Sequence, residues 1–315
     1  MTSRKTPSIC VVGSANLDLT VRTETLPRPG ETVAGGPLRL LPGGKSANQA
    51  AAAALLGGDV TLVAAIGEDA HGDLVLESLA ASGVDTSAVR RVAGTATGTA
   101  MIAVDGSGEN VIIVSDGANG CLTAEDVAAH ADRVRAASVL GLSFEVPMAA
   151  TAAAARTAHE HGVTVVLNPS PFAAPPAELL ADVDVLVVKE HEFAQLVGPT
   201  GTPWSPALLE GLTVPHVVVT RGEEGAVVLS SARNGAPDDG VLEVPAVPVE
   251  AVDTTGAGDA FTGALLHGLA SGEGLEQSVV RACAVGAYAA TGVGAQASYP
   301  TAGQLEELLA ATTAG

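Results

Sequence analysis

Short apolar runs along the chain alternate with stretches in which apolar residues recur at helical spacing. The runs predict buried strands at residues 9–12, 60–66, 139–142, 163–167, 183–188 and 217–219. The helical spacing predicts helices at residues 47–56, 73–81, 123–134 and 148–161, and a helical C-terminal part from Ala260 onward. Strands that alternate with helices build βαβ units. The pattern therefore predicts an α/β fold with a doubly wound, mostly parallel sheet flanked by helices.

Two segments depart from this alternation. Residues 17–41 are rich in Pro, Gly and Thr, and residues 98–115 contain the hairpin signal Asp105-Gly106-Ser107-Gly108. Both predict antiparallel strands, which together would form a small β lid. Ligands bind at the carboxyl ends of parallel strands, so a lid is expected above that edge. We expect a single domain over residues 1–315 that includes this lid.

The composition narrows the class of partner. Hydrophobic residues make up 47% of the 315 residues but aromatic residues only 2%, so the core is expected to consist of Ala, Val and Leu. The 15 Lys and Arg against 35 Asp and Glu give a formal net charge of -20, which repels nucleic acid and anionic membrane surfaces. A small nucleotide that arrives with Mg²⁺ remains compatible with this charge.

The cysteines indicate the compartment. Cys10, Cys121 and Cys283 are few, odd in number and widely spaced, which argues against a disulfide framework or a zinc site. No apolar run reaches membrane-spanning length. We therefore expect a cytoplasmic protein.

The segment at residues 252–259 carries the strongest chemical signal. It places Asp253 and Asp259 around Gly256 and Gly258, directly before an apolar run. Glycines at a helix start let amide groups approach an anion, and a carboxylate in the first turn can accept the proton of an attacking hydroxyl. This arrangement predicts phosphoryl transfer. The octapeptide alone also allows an ordinary capped helix.

A second glycine turn precedes the first predicted helix. Gly43-Gly44-Lys45-Ser46 contains a Gly-Lys-Ser sequence, but a Walker A motif requires a glycine where Arg39 stands. Lys45, Ser46 and Asn48 at the helix start are donors suited to a polyhydroxylated ligand. An ordinary turn and cap is the alternative.

Further polar residues follow two predicted strands. Asn16 and Asp18 come after the first strand and share one face by two-residue periodicity, and Glu145 follows the strand at residues 139–142. An amide and a carboxylate so placed can bind sugar hydroxyls. Asn16 and Asp18 read alone also fit a turn.

Together these segments resemble the ribokinases of the PfkB carbohydrate kinase family. The resemblance is collinear from about Ile9 to Pro300 and also includes Pro29-Gly30-Glu31, Gly108-Glu109-Asn110, Asn168-Pro169 and Gly294-Ala295-Gln296. It implies that the sugar is held by Asn16, Asp18, Gly44, Lys45, Asn48 and Glu145, in a pocket that also contains Ser46. It implies Asp259 as the base and Gly256, Ala257 and Gly258 as the anion hole.

The resemblance also implies sites for the nucleotide and the cations. The nucleotide pocket would be lined by Lys189, Thr220, Gly222, Gly225 and Gly258. A K⁺ site would use Asp253 and Ser298 with backbone oxygens of Thr255, Ala289, Gly292 and Gly294. The chain departs from the family at Ser46, which replaces a common glycine, and at Lys189, which replaces the Asn of an Asn-x-x-Glu motif. Glu192 retains the acid of this Mg²⁺ and phosphate network.

The expected activity is ATP-dependent phosphorylation of the 5-hydroxyl of D-ribose, with Mg²⁺ and K⁺. The exposed lid strands favour a homodimer. One alternative is a related kinase for another furanose, a nucleoside or a keto-sugar acid. Another is a sugar-binding homologue without catalysis. A dinucleotide oxidoreductase is disfavoured because no Gly-x-Gly-x-x-Gly follows the first strand.

Overall fold

A computed structural model describes residues 7–198, 204–231 and 240–313. In chain order the strands and α-helices are β1 (Ser8–Val12), β2 (Asn16–Arg22), β3 (Arg39–Gly43), α1 (Lys45–Leu55), β4 (Asp59–Gly67), α2 (Ala70–Ala81), β5 (Val89–Val92), β6 (Gly98–Val104), β7 (Asn110–Ser115), α3 (Ala124–Ala129), α4 (Ala131–Ala136), β8 (Val139–Ser143), α5 (Met148–His159), β9 (Thr164–Asn168), α6 (Ala177–Leu180), β10 (Val185–Lys189), α7 (Glu190–Val197), β11 (His216–Thr220), β12 (Ala226–Ser230), β13 (Val241–Val244), α8 (Ala257–Ala270), α9 (Leu275–Ala289) and α10 (Ala302–Thr313).

The large sheet confirms the predicted architecture. Its strand order in the described residues is β13-β12-β11-β10-β9-β8-β1-β4-β5, and the pairing is parallel from β11 to β5. Strands β12 and β13 add an antiparallel edge that the sequence analysis did not predict. It also missed β5, because that short edge strand carries Arg90 and Arg91 in place of an apolar run.

Two cores form on the two faces of this sheet. Ile9 and Val11 of β1 pack into one core with α1, α8 and α9, whereas Cys10 and Val12 pack into the other with α3, α4, α5 and α7. Successive strand residues point to opposite faces, so a continuous apolar strand supplies both cores. The sheet is therefore doubly wound, as predicted.

Small residues bring α1 and α8 into close contact. Residues 50–53 of α1 are alanines with at most 1% exposure. A Cβ on Gly263 of α8 would lie 2.5 Å from the backbone oxygen of Gln49 and 2.7 Å from the Cβ of Ala52. Side chains any larger at these positions would force the helices apart. The close approach places the first turns of α1 and α8, and hence Asn48 and Asp259, beside each other.

The lid is a four-stranded sheet in the order β3-β2-β6-β7. The pairs β2–β3 and β6–β7 are antiparallel, as predicted, but β2 pairs with β6 in parallel. Each of these central strands follows a strand of the parallel sheet, β1 or β5, which accounts for their common direction.

One predicted helix is divided in the structure. The segment 123–134 forms α3 and α4, separated by His130 at φ -113 and ψ 18, and a capping box between Thr123 and Asp126 begins α3. The His130 amide donates to the carbonyl of Val127, three residues back, and this tight turn ends α3. No helix in the described ranges is long and apolar enough to cross a membrane.

Candidate active site

The carboxyl ends of the central strands meet at one edge of the sheet. Strands β1 and β8 pair in parallel, as do β10 and β11, so the loops after them lie on the same side. Hydrogen bonds tie the start of α1 to the loops after β1 and β8, and the bond from Asn48 to Asp259 ties the start of α8 to α1. The predicted site residues therefore converge on this edge, although they are spread from Asn16 to Ser298.

Asp259 lies in the first turn of α8 and is 8% exposed. The side-chain amide of Asn48 donates to its carboxylate at 2.9 Å. Burial raises the pKa of Asp259, while the charge of Lys45, the hydrogen bond from Asn48 and the charge of Lys189 act in the opposite direction. A carboxylate with a raised pKa and a fixed orientation is suited to accept a proton.

Lys45 lies among carboxylates at the start of α1. Its backbone amide donates to Glu145 at 2.9 Å, and the Ser14 hydroxyl donates to the same oxygen at 2.6 Å. Burial lowers the pKa of Lys45, but the neighbouring carboxylates outweigh it and raise the pKa above its usual value. These carboxylates belong to Asp259, Glu145, Glu192 and Asp18. A single ammonium thus compensates much of the acidic charge around it.

Asp18 reaches this group from the lid strand β2. Burial, together with the charges of Glu145 and Asp259, raises its pKa to about 7. A Cβ on Gly43 would lie 2.6 Å from the Asp18 carboxyl carbon, so only glycine leaves room for this side chain. Near neutral pH the Asp18 carboxyl group can therefore either accept a hydrogen bond from a ligand hydroxyl or donate one.

Asn16 is held by a residue that the sequence analysis missed. The Asn119 side chain donates to the Asn16 side-chain oxygen at 2.5 Å and accepts the backbone amide of Ala15 at 2.9 Å. Asn119 is 1% exposed and lies in a short turn after β7, where no motif marks it. Because the Asn16 oxygen is engaged, its amide nitrogen is the group left for a ligand.

The structure places Ser46 beside Ser143. Its side chain is fully buried, and its hydroxyl bonds with the Ser143 hydroxyl at 2.7 Å. A Cβ on Gly13 would lie 2.8 Å from the Ser46 Cβ. The structure does not bring this hydroxyl to the carboxylate group; it packs Ser46 between the ends of β1 and β8.

The turn before α8 contains the residues predicted to form an anion hole. Gly256, at φ 76, adopts the left-handed conformation that favours glycine, and a Cβ on Gly258 would point into open space. The Gly256 carbonyl accepts the Tyr299 hydroxyl at 3.0 Å and the Ala260 amide at 2.8 Å. Tyr299, which the sequence analysis also missed, thereby supports the turn at the α8 N-terminus.

The residues of the predicted K⁺ site lie together. The Asp253 carboxylate accepts the backbone amides of Thr255 and Gly294, each at 2.9 Å, and a Cβ on Gly292 would lie 2.7 Å from the Ser298 Cβ. The Ala289 carbonyl accepts the Gly292 amide at 3.3 Å. Burial raises the pKa of Asp253, but the bonds from Thr255 and Gly294 outweigh it and hold the pKa below its usual value.

The predicted nucleotide residues lie at the ends of β10 and β11. Lys189 and Thr220 are neighbours in register, and the Lys189 amide donates to the buried carboxylate of Glu192 at 2.8 Å. Gly222 and Gly225 have φ of 58 and 90 in the turn after β11. Within the described residues Lys189 forms no ion pair.

Comparison with known proteins agrees with this geometry. Residues 6–302 match the model of the pfkB family carbohydrate kinases. Over 302 residues the chain is 35% identical to the ribokinase of Bacillus subtilis strain 168, covering 96% of this chain and 99% of that protein. It is 33% identical to the deoxyribokinase of Salmonella typhi, covering 96% and 98%. The structure of Arabidopsis thaliana ribokinase complexed with ribose and ATP matches with a TM-score of 0.89 at 33% identity, covering 96% and 99%. The chain therefore belongs to the pfkB family of carbohydrate kinases.

Proposed function

We propose that this kinase transfers the γ-phosphoryl group of ATP to the 5-hydroxyl of D-ribose. The observation that carries the proposal is the buried Asp259 carboxylate in the first turn of α8. It accepts a hydrogen bond from Asn48 of α1 and lies beside the sugar-binding candidates Asp18 and Lys45. The likeness to ribokinases over nearly the whole chain supports ribose as the acceptor.

In the proposed mechanism Asp259 accepts the proton of the sugar hydroxyl as that oxygen attacks the γ-phosphorus. The new oxygen–phosphorus bond forms while the bond between the γ-phosphorus and the bridging oxygen breaks, and ADP leaves. The amides of Gly256 and Gly258 would face the charge that develops on the phosphoryl oxygens, whereas the Ala257 amide donates to the Thr254 carbonyl at 3.2 Å. Lys45 and Lys189 add positive charge near the same point.

The sugar would be held by polar groups from both sheets. Asn16 and Asp18 approach from the lid, while Gly44, Lys45, Asn48 and Glu145 approach from the large sheet and α1. Carboxylates outnumber cations here, so the site favours neutral hydroxyl groups and repels an acidic ligand. This charge distribution supports a neutral sugar over a keto-sugar acid.

Mg²⁺ would accompany the ATP triphosphate, with Glu192 in the network that positions it. K⁺ would be held by Asp253, Ser298 and the carbonyls of Thr255, Ala289, Gly292 and Gly294. One carboxylate with several carbonyl oxygens suits a large, weakly hydrated cation. When bound, Mg²⁺ would neutralise phosphate charge, and K⁺ would order the loop beside the anion hole.

ADP release with ribose, deoxyribose, fructose, adenosine and 2-keto-3-deoxygluconate tests this function. We expect the highest kcat/KM with ribose. A higher value with deoxyribose would assign the chain to the activity named for the Salmonella typhi relative. Sugar binding by calorimetry without ADP release from any of the five would indicate a binding protein and contradict the proposal.

Replacing Asp253 should abolish selective activation by K⁺. In Asp253→Asn the carboxylate charge is lost, and the single side-chain oxygen can accept only one of the two backbone amides, so we expect equal rates in K⁺, Na⁺ and tetramethylammonium. The wild type should be fastest in K⁺. Wild-type K⁺ activation in this variant, or no cation preference in the wild type, would contradict the K⁺ site.

Lys189→Ala should raise the KM for ATP about 5-fold with little change in the KM for sugar. The ammonium has no ion pair with a described residue and acts on Asp259 through its charge, so it is placed to attract the triphosphate. Lys189→Arg is the matched control because it retains the charge. Equal KM values for ATP in the wild type and Lys189→Ala would show that the Lys189 side chain takes no part in ATP binding.

The lid supports the proposal of a homodimer. Strand β7 is an edge strand, and Val111, Ile112, Ile113 and Val114 are 48% to 58% exposed. Met101, which pairs with Ile113 in register, is 46% exposed. An exposed apolar edge strand favours pairing with another strand, and a second copy of the lid would cover it.

Ile113→Lys should therefore convert a dimer into a monomer. Light scattering at micromolar concentration should give twice the chain mass of 31.0 kDa for the wild type and the single mass for the variant. Val280→Lys, at a 42% exposed site on α9, is the control and should remain dimeric. A wild type that is monomeric and fully active would contradict the dimer.

A further inference from the structure

A directed chain of hydrogen bonds ends on the candidate base. The Ser78 hydroxyl donates to the Gln296 side-chain oxygen at 3.0 Å, and the Gln296 amide donates to the Asn48 side-chain oxygen at 3.0 Å. The Asn48 amide then donates to the Asp259 carboxylate at 2.9 Å. Every bond runs in the same direction, so each donor strengthens the next.

This chain connects four separate parts of the fold. Ser78 lies in α2, Gln296 in the short turn before α10, Asn48 in α1 and Asp259 in α8. Gln296 is 9% exposed and Asn48 5%, so water competes little for these bonds. The mechanism described above uses Asp259 and Asn48 but gives no role to Gln296 or Ser78.

Gln296 determines which end of the Asn48 side chain meets the base. A primary amide can rotate by half a turn and exchange its oxygen with its nitrogen. While Gln296 donates to the Asn48 oxygen, the Asn48 nitrogen must face Asp259. Without that donor, repulsion between the Asp259 carboxylate and the Asn48 oxygen is the remaining force against the rotation, so the amide orientation is less firmly held.

We propose that Gln296 is a positioning residue for phosphoryl transfer, because it orients Asn48 and thereby holds Asp259 as an ionised, aligned base. The kinetic part of this inference rests on the proposed function. One hydrogen of the Asn48 amide goes to Asp259, which leaves the second for a sugar hydroxyl.

Other charged groups around Asp259 also influence its pKa. Lys45 and Lys189 favour the ionised carboxylate, whereas Asp18, Glu145 and the buried hydroxyl of Tyr299 lie near enough to interact with it. Burial already raises the pKa of Asp259. Loss of the donor from Asn48 should therefore raise that pKa further.

Gln296→Met tests the proposal because methionine keeps the length of the side chain and removes both polar atoms. We expect kcat to fall about 10-fold with a much smaller change in the sugar KM, and the acidic limb of the kcat profile to move up by about one pH unit. Gln304→Met, which removes an exposed glutamine at the start of α10, should leave both unchanged. A merely structural role would lower the melting temperature without moving the acidic limb.

Carboxyl ¹³C NMR provides a measurement that does not depend on turnover. With the Asp259 signal assigned through Asp259→Asn, its pKa should be about one unit higher in Gln296→Met than in the wild type. Ser78→Ala, which removes the first donor only, should give a smaller shift in the same direction and serves if Gln296→Met does not fold. An unchanged Asp259 pKa in the folded variants would overturn the proposal. Absence of sugar turnover in the wild type would instead reject the proposed function, and the titration would still decide the role of Gln296.

Discussion

Asp259→Asn is expected to lower kcat by at least about 10²-fold, the lower end of the effect of a positioned general base. The asparagine keeps the shape of the side chain and can still accept the Asn48 amide through its oxygen, but it cannot take the proton of the sugar hydroxyl. Sugar binding should persist in calorimetry. Because burial raises the pKa of Asp259, the wild-type kcat should fall as the pH drops through a value above the ordinary Asp range.

Asp18→Asn is the matched control, since it makes the same Asp-to-Asn replacement within the same group of carboxylates. Its effect is expected mainly on the sugar KM, because Asp18 is placed to bind hydroxyls and not to reach the transferred phosphoryl group. Near-normal kcat in Asp259→Asn, or an equal loss of kcat in both variants, would remove Asp259 from the role of base.

Gly256→Ala should reduce kcat by about 10²-fold to 10³-fold, the range seen when one oxyanion donor is lost. A Cβ on Gly256 would lie 2.6 Å from the Ala295 Cβ and 2.6 Å from the Tyr299 hydroxyl oxygen, so the turn that presents the amides must shift. The alanine also adds about 1 kcal/mol of strain at φ 76. Steady-state kinetics and thermal unfolding measure the two effects.

Gly162→Ala is the control that separates the backbone strain of an alanine at positive φ from the shift of the turn before α8. Gly162 has φ 70, and a Cβ there would meet no atom within 4 Å. This control should lose similar stability from backbone strain while kcat stays at the wild-type value. If both variants lose stability equally and Gly256→Ala keeps its kcat, the turn is not the anion hole.

The periodicity of apolar residues was sufficient to predict the architecture. Runs such as residues 9–12 and 139–142 are buried on both faces, which makes them continuous in the sequence, and they became adjacent parallel strands. The short edge strands β5 and β13 were missed because an edge strand needs less apolar surface and leaves a weaker pattern. Strand β12 was missed although it is buried between β11 and β13 and residues 226–229 are apolar. The break at His130 was also missed, since no Gly or Pro marks it.

Local motifs predicted the parts of the site that depend on backbone shape. The glycines at residues 256 and 258, followed at once by Asp259, specify a turn, a helix start and an acid within a few residues, and a local signal is enough for that. The same holds for Gly43 and Gly44 before α1. The order of these motifs along the chain was sufficient to recognise the family.

Only the tertiary structure decided which side chains meet. Asn48 bonds to Asp259 and to Gln296 across separations of 211 and 248 residues, and Asn119 holds Asn16 across 103 residues. The hydroxyl of Ser46 turned to Ser143, although its place in the motif suggested the ligand. The sequence by itself determined the fold class, the family and the turns, because periodicity and backbone conformation are local properties. The partners of Asn48, Ser46, Gln296 and Tyr299 depend on how closely α1, α8 and the sheet pack, and no short stretch of sequence records that distance.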